Sequence, residues 1–173
     1  MTAAARAETT GLDFAGLVER HQSMVFSLSY HFLRDRGLAE EVAQEVFLAL
    51  HRHLGEIQSA GHAVFWLRKV TVQRAIDEAR KRSRRPQVAL ADVAEPAAAV
   101  VPGDPLLGDL LRRLVASLPE TPRLVTILRY QEDLDPGDIA ELLNMPLATV
   151  KSHLQRSLTM LREKLARRGL GES

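Results

Sequence analysis

The chain has 173 residues, 46% of them hydrophobic and 26% charged, with a formal net charge of +1 and no cysteine. That size suits one soluble domain or two small ones, and the missing thiols exclude a disulfide framework, thiolate metal sites and thiol catalysis. Residues 1–11, MTAAARAETTG, lack the apolar core of a signal peptide, and no apolar run reaches membrane-span length, so the expected location is the cytoplasm.

Residues 1–11 are small and polar and read as a mobile tail. From Leu12 to Leu33, Phe14, Leu17, Val18, Met24, Val25, Leu28 and Phe32 recur at spacings of three, four and seven, which predicts an amphipathic helix. His21 lies beside that stripe with no acidic or histidine partner four residues away, so it reads as a core-edge histidine rather than a ligand. After a short turn at Arg34 to Gly37, a second helix is predicted over Leu38 to Leu54. Val42, Ala43, Val46, Phe47, Leu50 and Leu54 form its buried stripe, while Glu40, Glu41, Gln44 and Glu45 cluster opposite. His51 and His53 are two apart and point to different helix faces, which argues against a shared metal.

Gly55 to Gly61, GEIQSAG, is a glycine-bounded loop. The helix predicted from His62 to about Arg84 begins apolar nearly all round, with Val64, Phe65, Trp66, Leu67, Val70 and Val72, and ends basic. Trp66 could stack on a base, but an indole in such a run reads first as a core anchor. Arg68 to Arg85 holds eight Lys or Arg against Asp77 and Glu78, a net of +6 that favours phosphate contact.

Pro86 to Pro105 carries four prolines, many small residues and no clear period, and is read as a flexible linker between domains at 12–85 and 106–168. Leu106, Leu107, Leu110, Leu111, Leu114, Val115 and Leu118 then predict a helix. Thr121 is the expected cap, and Pro122 the first residue, of another that carries Leu124, Val125, Ile127, Leu128 and Tyr130. The class is therefore all-α, two small helical domains, with a short tail at 169–173.

The stretch from Asp135 to Arg168 is the most telling. Asp135 can cap a helix that opens with Pro136, carries Ile139, Leu142 and Leu143 and ends at Asn144, a residue that tolerates a left-handed backbone. Pro146 starts a second helix on which Val150, Leu154, Leu158, Leu161 and Leu165 form a packing arc. Ala148, Ser152, Gln155, Arg156, Thr159 and Glu163 face the other way, with Lys151 and Arg162 at the flanks. Leu147 to Arg168 carries a net of +5. Periodicity alone fits an amphipathic hairpin equally well, but the spacing of Ala140, Asn144 and Val150 favours the steeper crossing of a helix-turn-helix.

These residues together carry a family resemblance. The chain resembles an extracytoplasmic-function (ECF) sigma factor, a compact member of the bacterial sigma-70 superfamily, over almost everything from Phe14 to Leu165. Ala39-Glu40-Glu41-Val42-Ala43-Gln44-Glu45-Val46-Phe47 looks like the segment that binds the beta-prime clamp helices of RNA polymerase, which implies a polymerase-binding role for Glu40, Glu41, Gln44, Glu45 and Phe47. Trp66-Leu67, with Ile76-Asp77 and Arg80, looks like the helix on the minus-10 element, where the resemblance implies contacts from Trp66, Arg68, Lys69, Gln73, Arg80 and Arg84. Leu118-Pro119, Arg123, Leu128-Arg129, Asp138-Ile139-Ala140 and Thr149-Val150-Lys151-Ser152 resemble the minus-35 domain, implying contacts from Arg129, Thr149, Lys151, Ser152, Gln155 and Arg156. Thr71, Val72 and Gln73 depart from the family's usual Ala, Arg and Asn, and His153 and Leu158 stand where Arg is frequent.

The implied partners are core RNA polymerase, through its beta-prime clamp helices and beta flap, promoter DNA, and an anti-sigma protein. No cofactor, metal, catalytic residue or small-molecule substrate is expected. A stand-alone helix-turn-helix regulator is the alternative reading; it leaves the second basic helix and the acidic Glu40 to Glu45 face without a role. An enzyme is weakest, since no phosphate loop, catalytic carboxylate pair or metal spacing occurs.

Overall fold

The structure, a computed structural model, describes residues 12–85 and 105–169. The expected tail at 1–11, the expected linker up to residue 104 and residues 170–173 lie outside them. Among the described residues there are seven α-helices and no strand: α1 (Phe14–Leu33), α2 (Arg36–His53), α3 (Ala60–Arg84), α4 (Pro105–Ala116), α5 (Glu120–Tyr130), α6 (Pro136–Leu143) and α7 (Leu147–Arg167). They form two compact units that part between Arg80 and Lys81.

Side-chain caps fix where several helices begin. Asp13 accepts from the Gly16 N–H at 3.2 Å, Asp35 from Leu38 at 3.0 Å, and Asp135 from Asp138 at 2.9 Å. Each such cap contributes about 1 kcal/mol. Asp35 moves the start of α2 to Arg36, two residues before the position that periodicity suggests, and Arg34 closes α1 in the left-handed region at φ 57°. Ser59 Oγ accepts from the His62 N–H at 3.1 Å, so α3 begins at Ala60 and absorbs Gly61 into its first turn. A single 3-10 turn at Leu54–Glu56 fills much of the remaining loop.

One cap differs from expectation. Thr121 lies inside α5, because Pro119 is the cap residue, in extended conformation, and its carbonyl accepts from the Arg123 N–H at 2.9 Å. Pro122 still fits, since a first-turn residue needs no N–H partner within the helix.

In the first unit the core is one layer of apolar side chains from three helices. Leu17, Val25, Leu28 and Phe32 of α1 meet Val42, Val46 and Leu50 of α2 and Ala63, Leu67, Val72 and Ala75 of α3, all at most 3% exposed. α3 buries only this one stripe; Val64, Phe65 and Val70 are half-buried, so its apolar run is less enclosed than its composition suggests. Two hydroxyls are also buried. Ser29 donates to the Val25 carbonyl at 2.8 Å and Thr71 to that of Leu67 at 2.6 Å, which satisfies both inside their own helices.

The second unit is built around α5. Pro122, Leu124, Val125, Thr126, Ile127 and Leu128 are all buried there, and α4, α6 and α7 each pack against it. Leu114, Leu118, Ile139, Leu142 and Val150 close the core. Asn144 takes the left-handed conformation at φ 49°, and the Met145 N–H returns to the Ala140 carbonyl at 3.0 Å, a Schellman-type stop that turns the chain toward α7.

Candidate functional site

The acidic face of α2 borders an apolar groove. Phe14, Val18 and Phe26 from α1, with Ala43, Phe47 and Leu48 from α2, line an open volume of about 720 Å³, and Glu40 and Gln44 stand on its rim. Leu48 is 59% exposed, a large apolar side chain held in water. Glu40 pairs with Arg36 at 2.9 Å along the helix, and Glu45 with Arg74 of α3 at 3.2 Å. Both pairs are about half exposed, so each adds little to stability. Glu41 and Gln44 are exposed. Four of the five residues implied for polymerase binding are thus at the surface, and Phe47 is a half-buried wall of the groove.

On α3, at about 100° per residue, Trp66, Lys69, Gln73, Arg80 and Arg84 fall within about 60° of one another. They run along the side opposite the buried Ala63, Leu67, Thr71 and Ala75. Arg68 does not join them. It lies roughly 100–160° round the helix from them, close enough to α1 to act on His21. Trp66 is half-buried, its ring 5.9 Å from that of His53, whose Nδ1 lies 3.0 Å from Glu56. The indole therefore packs against the C-terminal end of α2 and is partly exposed, combining an anchor with a surface.

His21 is half-buried, and its pKa is lowered from the ordinary 6.5 by burial first and then by the Arg20 and Arg68 guanidiniums. The folded state thus holds this imidazole neutral where the unfolded chain would protonate it. Its contribution to stability is complete above pH 6.5 and is lost as pH falls from there through the lowered folded value. In urea titrations on either side of that value, His21→Gln should show a smaller drop in midpoint on acidification than the native chain. An equal drop would assign the acid sensitivity elsewhere.

In the second unit Lys151, Ser152, Gln155 and Arg156 are exposed on α7 and Thr149 is half-buried. The packing side is broader than its leucines alone suggest: Ser157 is buried and His153 half-buried beside Val150, Leu154, Leu158 and Leu161. This moves the centre of the exposed arc to Ser152 and Thr159, with Gln155 and Arg156 about 50° to either side. Ser157 was hidden from a hydropathy reading because it is polar. Arg129 stands apart from this arc. Its guanidinium donates to the Leu134 carbonyl at 3.1 Å and lies 3.9 Å from Asp133, which adopts φ 53°, so it braces the turn between α5 and α6.

No helix among the described residues is long and apolar enough to cross a membrane, and no cluster of three metal-ligating side chains occurs among them. One unit carries an acidic and apolar groove, and each unit carries a basic helix face.

Residues 17–85 match the sigma-70 region 2 family and residues 108–161 the sigma-70 region 4 family. The chain is 32% identical over 160 residues to the ECF RNA polymerase sigma factor SigK of Mycobacterium tuberculosis, covering 88% of this chain and 85% of that one. This chain belongs to the ECF sigma factors. The sigma factor is also 28% identical over 167 residues to SigW of Bacillus subtilis, with 88% of each chain covered. Among solved structures its fold is shared with the sigma factor RpoE, in complex with the anti-sigma factor NepR from Bartonella quintana, at a TM-score of 0.70 and 20% identity over 89% of this chain and 97% of that one. CnrH, in complex with the cytosolic domain of CnrY, gives a TM-score of 0.65 at 18% identity and 95% coverage of both chains. Sigma factors, the family to which this chain belongs, are transcription initiation factors.

Proposed function

We propose that this sigma factor docks on core RNA polymerase through the α1–α2 groove and its acidic rim, and contacts promoter DNA through α3 and α7. The groove is the observation that carries the reading. An open apolar volume flanked by Glu40 and Gln44, with Leu48 held in water, suits a helix that presents apolar side chains and cations. A stand-alone regulator has no use for it.

Glu40, Glu41, Gln44, Glu45 and Phe47 form the polymerase contact, against the beta-prime clamp helices. Trp66, Lys69, Gln73, Arg80 and Arg84 lie along the minus-10 element, Trp66 offering a ring to unstacked bases. Arg68 contributes positive field from the α1 side rather than a contact in that row. On the minus-35 element Lys151 meets phosphate, Ser152, Gln155 and Arg156 meet base edges, and Thr149 supports them. Arg129 holds the turn that presents the helix-turn-helix. The polymerase and minus-10 contacts fall to residues 12–85 and the minus-35 contacts, with the beta flap, to residues 106–168. The work is done in the cytoplasm, where polymerase and promoter are, and by analogy with the RpoE complex an anti-sigma protein holds the free factor.

The test is binding to core polymerase by fluorescence anisotropy, followed by run-off transcription. Leu48→Glu places a charge in the groove at an exposed position, so folding should be unaffected. Loss of one leucine contact, worth about 1.5 kcal/mol, together with a buried charge, should lower core affinity about tenfold or more. Unchanged affinity would remove the groove from the interface.

A further inference from the structure

Among the described residues, the helix assigned to the minus-35 element is fastened by side-chain hydrogen bonds at two points, both on its C-terminal half. Ser157 is 1% exposed, and its Oγ donates to the Pro122 carbonyl at 3.1 Å, crossing from α7 to the first turn of α5. Seven residues later, Lys164 Nζ donates to Ser117 Oγ at 2.7 Å and reaches the Ser117 carbonyl at 3.4 Å, just beyond the end of α4. Seven residues are nearly two turns. The two latches therefore lie on almost one meridian of α7, about 10 Å apart.

Between and beside them the seam is leucine: Leu154, Leu158, Leu161 and Leu165 are all half-buried. Apolar burial is non-directional, so a leucine seam alone tolerates some roll of the helix about its axis. A hydrogen bond weakens steeply once its distance and angle depart from a narrow range. Two of them on one meridian fix roll and axial register together.

The reading half, Leu147 to Arg156, has no such latch among the described residues. It is seated by Val150, 0% exposed, while the buried Nδ1 of His153 finds no hydrogen-bond partner among the described residues. Its orientation is therefore inherited from the half behind it. A roll of about 20° moves a side-chain tip 5–6 Å from the axis by about 2 Å. That displacement is several times the whole tolerance of a bidentate contact to a base edge.

We propose that Ser157 and Lys164 are positioning residues that set the roll of α7 and thereby promoter specificity, without touching DNA. The proposal rests on the reading of α7 as the minus-35 helix. It is tested with the full chain assembled on core polymerase, by measuring affinity for a series of promoter duplexes that differ at single minus-35 base pairs, at two salt concentrations. The variants are Ser157→Ala, Lys164→Met, the double variant, and Lys164→Arg.

In the double variant the ratio of preferred to substituted sequence should fall at least about fivefold at several positions at once, near the lower end of what one bidentate contact contributes. The salt slope should stay unchanged, because no phosphate contact is lost. Lys164→Arg should restore what Lys164→Met loses. Should Ser157→Ala fail to fold, the comparison of Lys164→Met with Lys164→Arg decides alone. A purely structural role would reduce the active fraction equally on every duplex and leave the ratios intact, and that result overturns the proposal; so does Lys164→Arg behaving like Lys164→Met. Arg156→Ala is measured alongside. If it changes the ratios and the double variant does not, the latch alone is wrong; if neither does, the assignment of α7 fails and the latch with it.

Discussion

Arg156→Ala is expected to flatten discrimination at one minus-35 base pair while leaving the remaining preferences in place. The guanidinium is exposed on α7 and can reach the O6 and N7 of a guanine with two hydrogen bonds, a contact worth about 1–3 kcal/mol against the wrong base. Lys151→Ala should behave differently. Lys151 sits at the edge of the exposed arc, near where phosphates would run, so its loss should weaken all sequences alike and lower the salt slope by about one. Binding of both variants to a single-base substitution series at two salt concentrations separates the outcomes. Equal loss across the series for Arg156→Ala would pass the base-reading role to Ser152, at the centre of the arc, or to Gln155.

The second large effect is expected at Glu41. Its neighbours Glu40 and Glu45 are each tied to an arginine of the fold, so reversing either also disturbs Arg36 or Arg74. Glu41 is exposed, and among the described residues it makes no ion pair within the chain. Glu41→Lys should therefore leave the denaturation midpoint within error. If the carboxylate is desolvated against a cation of polymerase, its loss costs about 2–5 kcal/mol, or roughly 30-fold or more in core affinity. A variant with native core affinity would return this face to solvent.

Much of this architecture was legible in the sequence because the informative residues act locally. Asp135, Pro136 and Asn144 declare the start and stop of α6 through backbone chemistry, and the structure has the cap, the first helical residue and the left-handed stop at those positions. Helix starts were read less well where a polar residue stood just outside the apolar stripe. Asp35 and Ser59 cap α2 and α3, yet neither alters the hydrophobic period that locates the helices.

What the sequence could not show was set by tertiary contact. The placement of Arg68 beside His21 follows from which side of α3 meets α1. The Ser157 bond spans 35 residues, and a serine among leucines gives no sign of being buried. The apolar groove was visible only in part, since the helix stripes placed Phe14, Val18 and Phe47 at a core that in fact stops short of covering them.

The division of labour within the second unit bears on how such a factor changes over generations. Six of the eleven residues of α5 are buried, and substitutions there are paid for in folding. Lys151, Ser152, Gln155 and Arg156 are exposed, and among the described residues their side chains make no hydrogen bond within the chain. Surface substitutions of this kind usually shift stability by no more than about 0.5 kcal/mol. With α7 reading the promoter as proposed, promoter preference can drift, and a duplicated copy can acquire a separate set of target genes, without the scaffold having to be rebuilt.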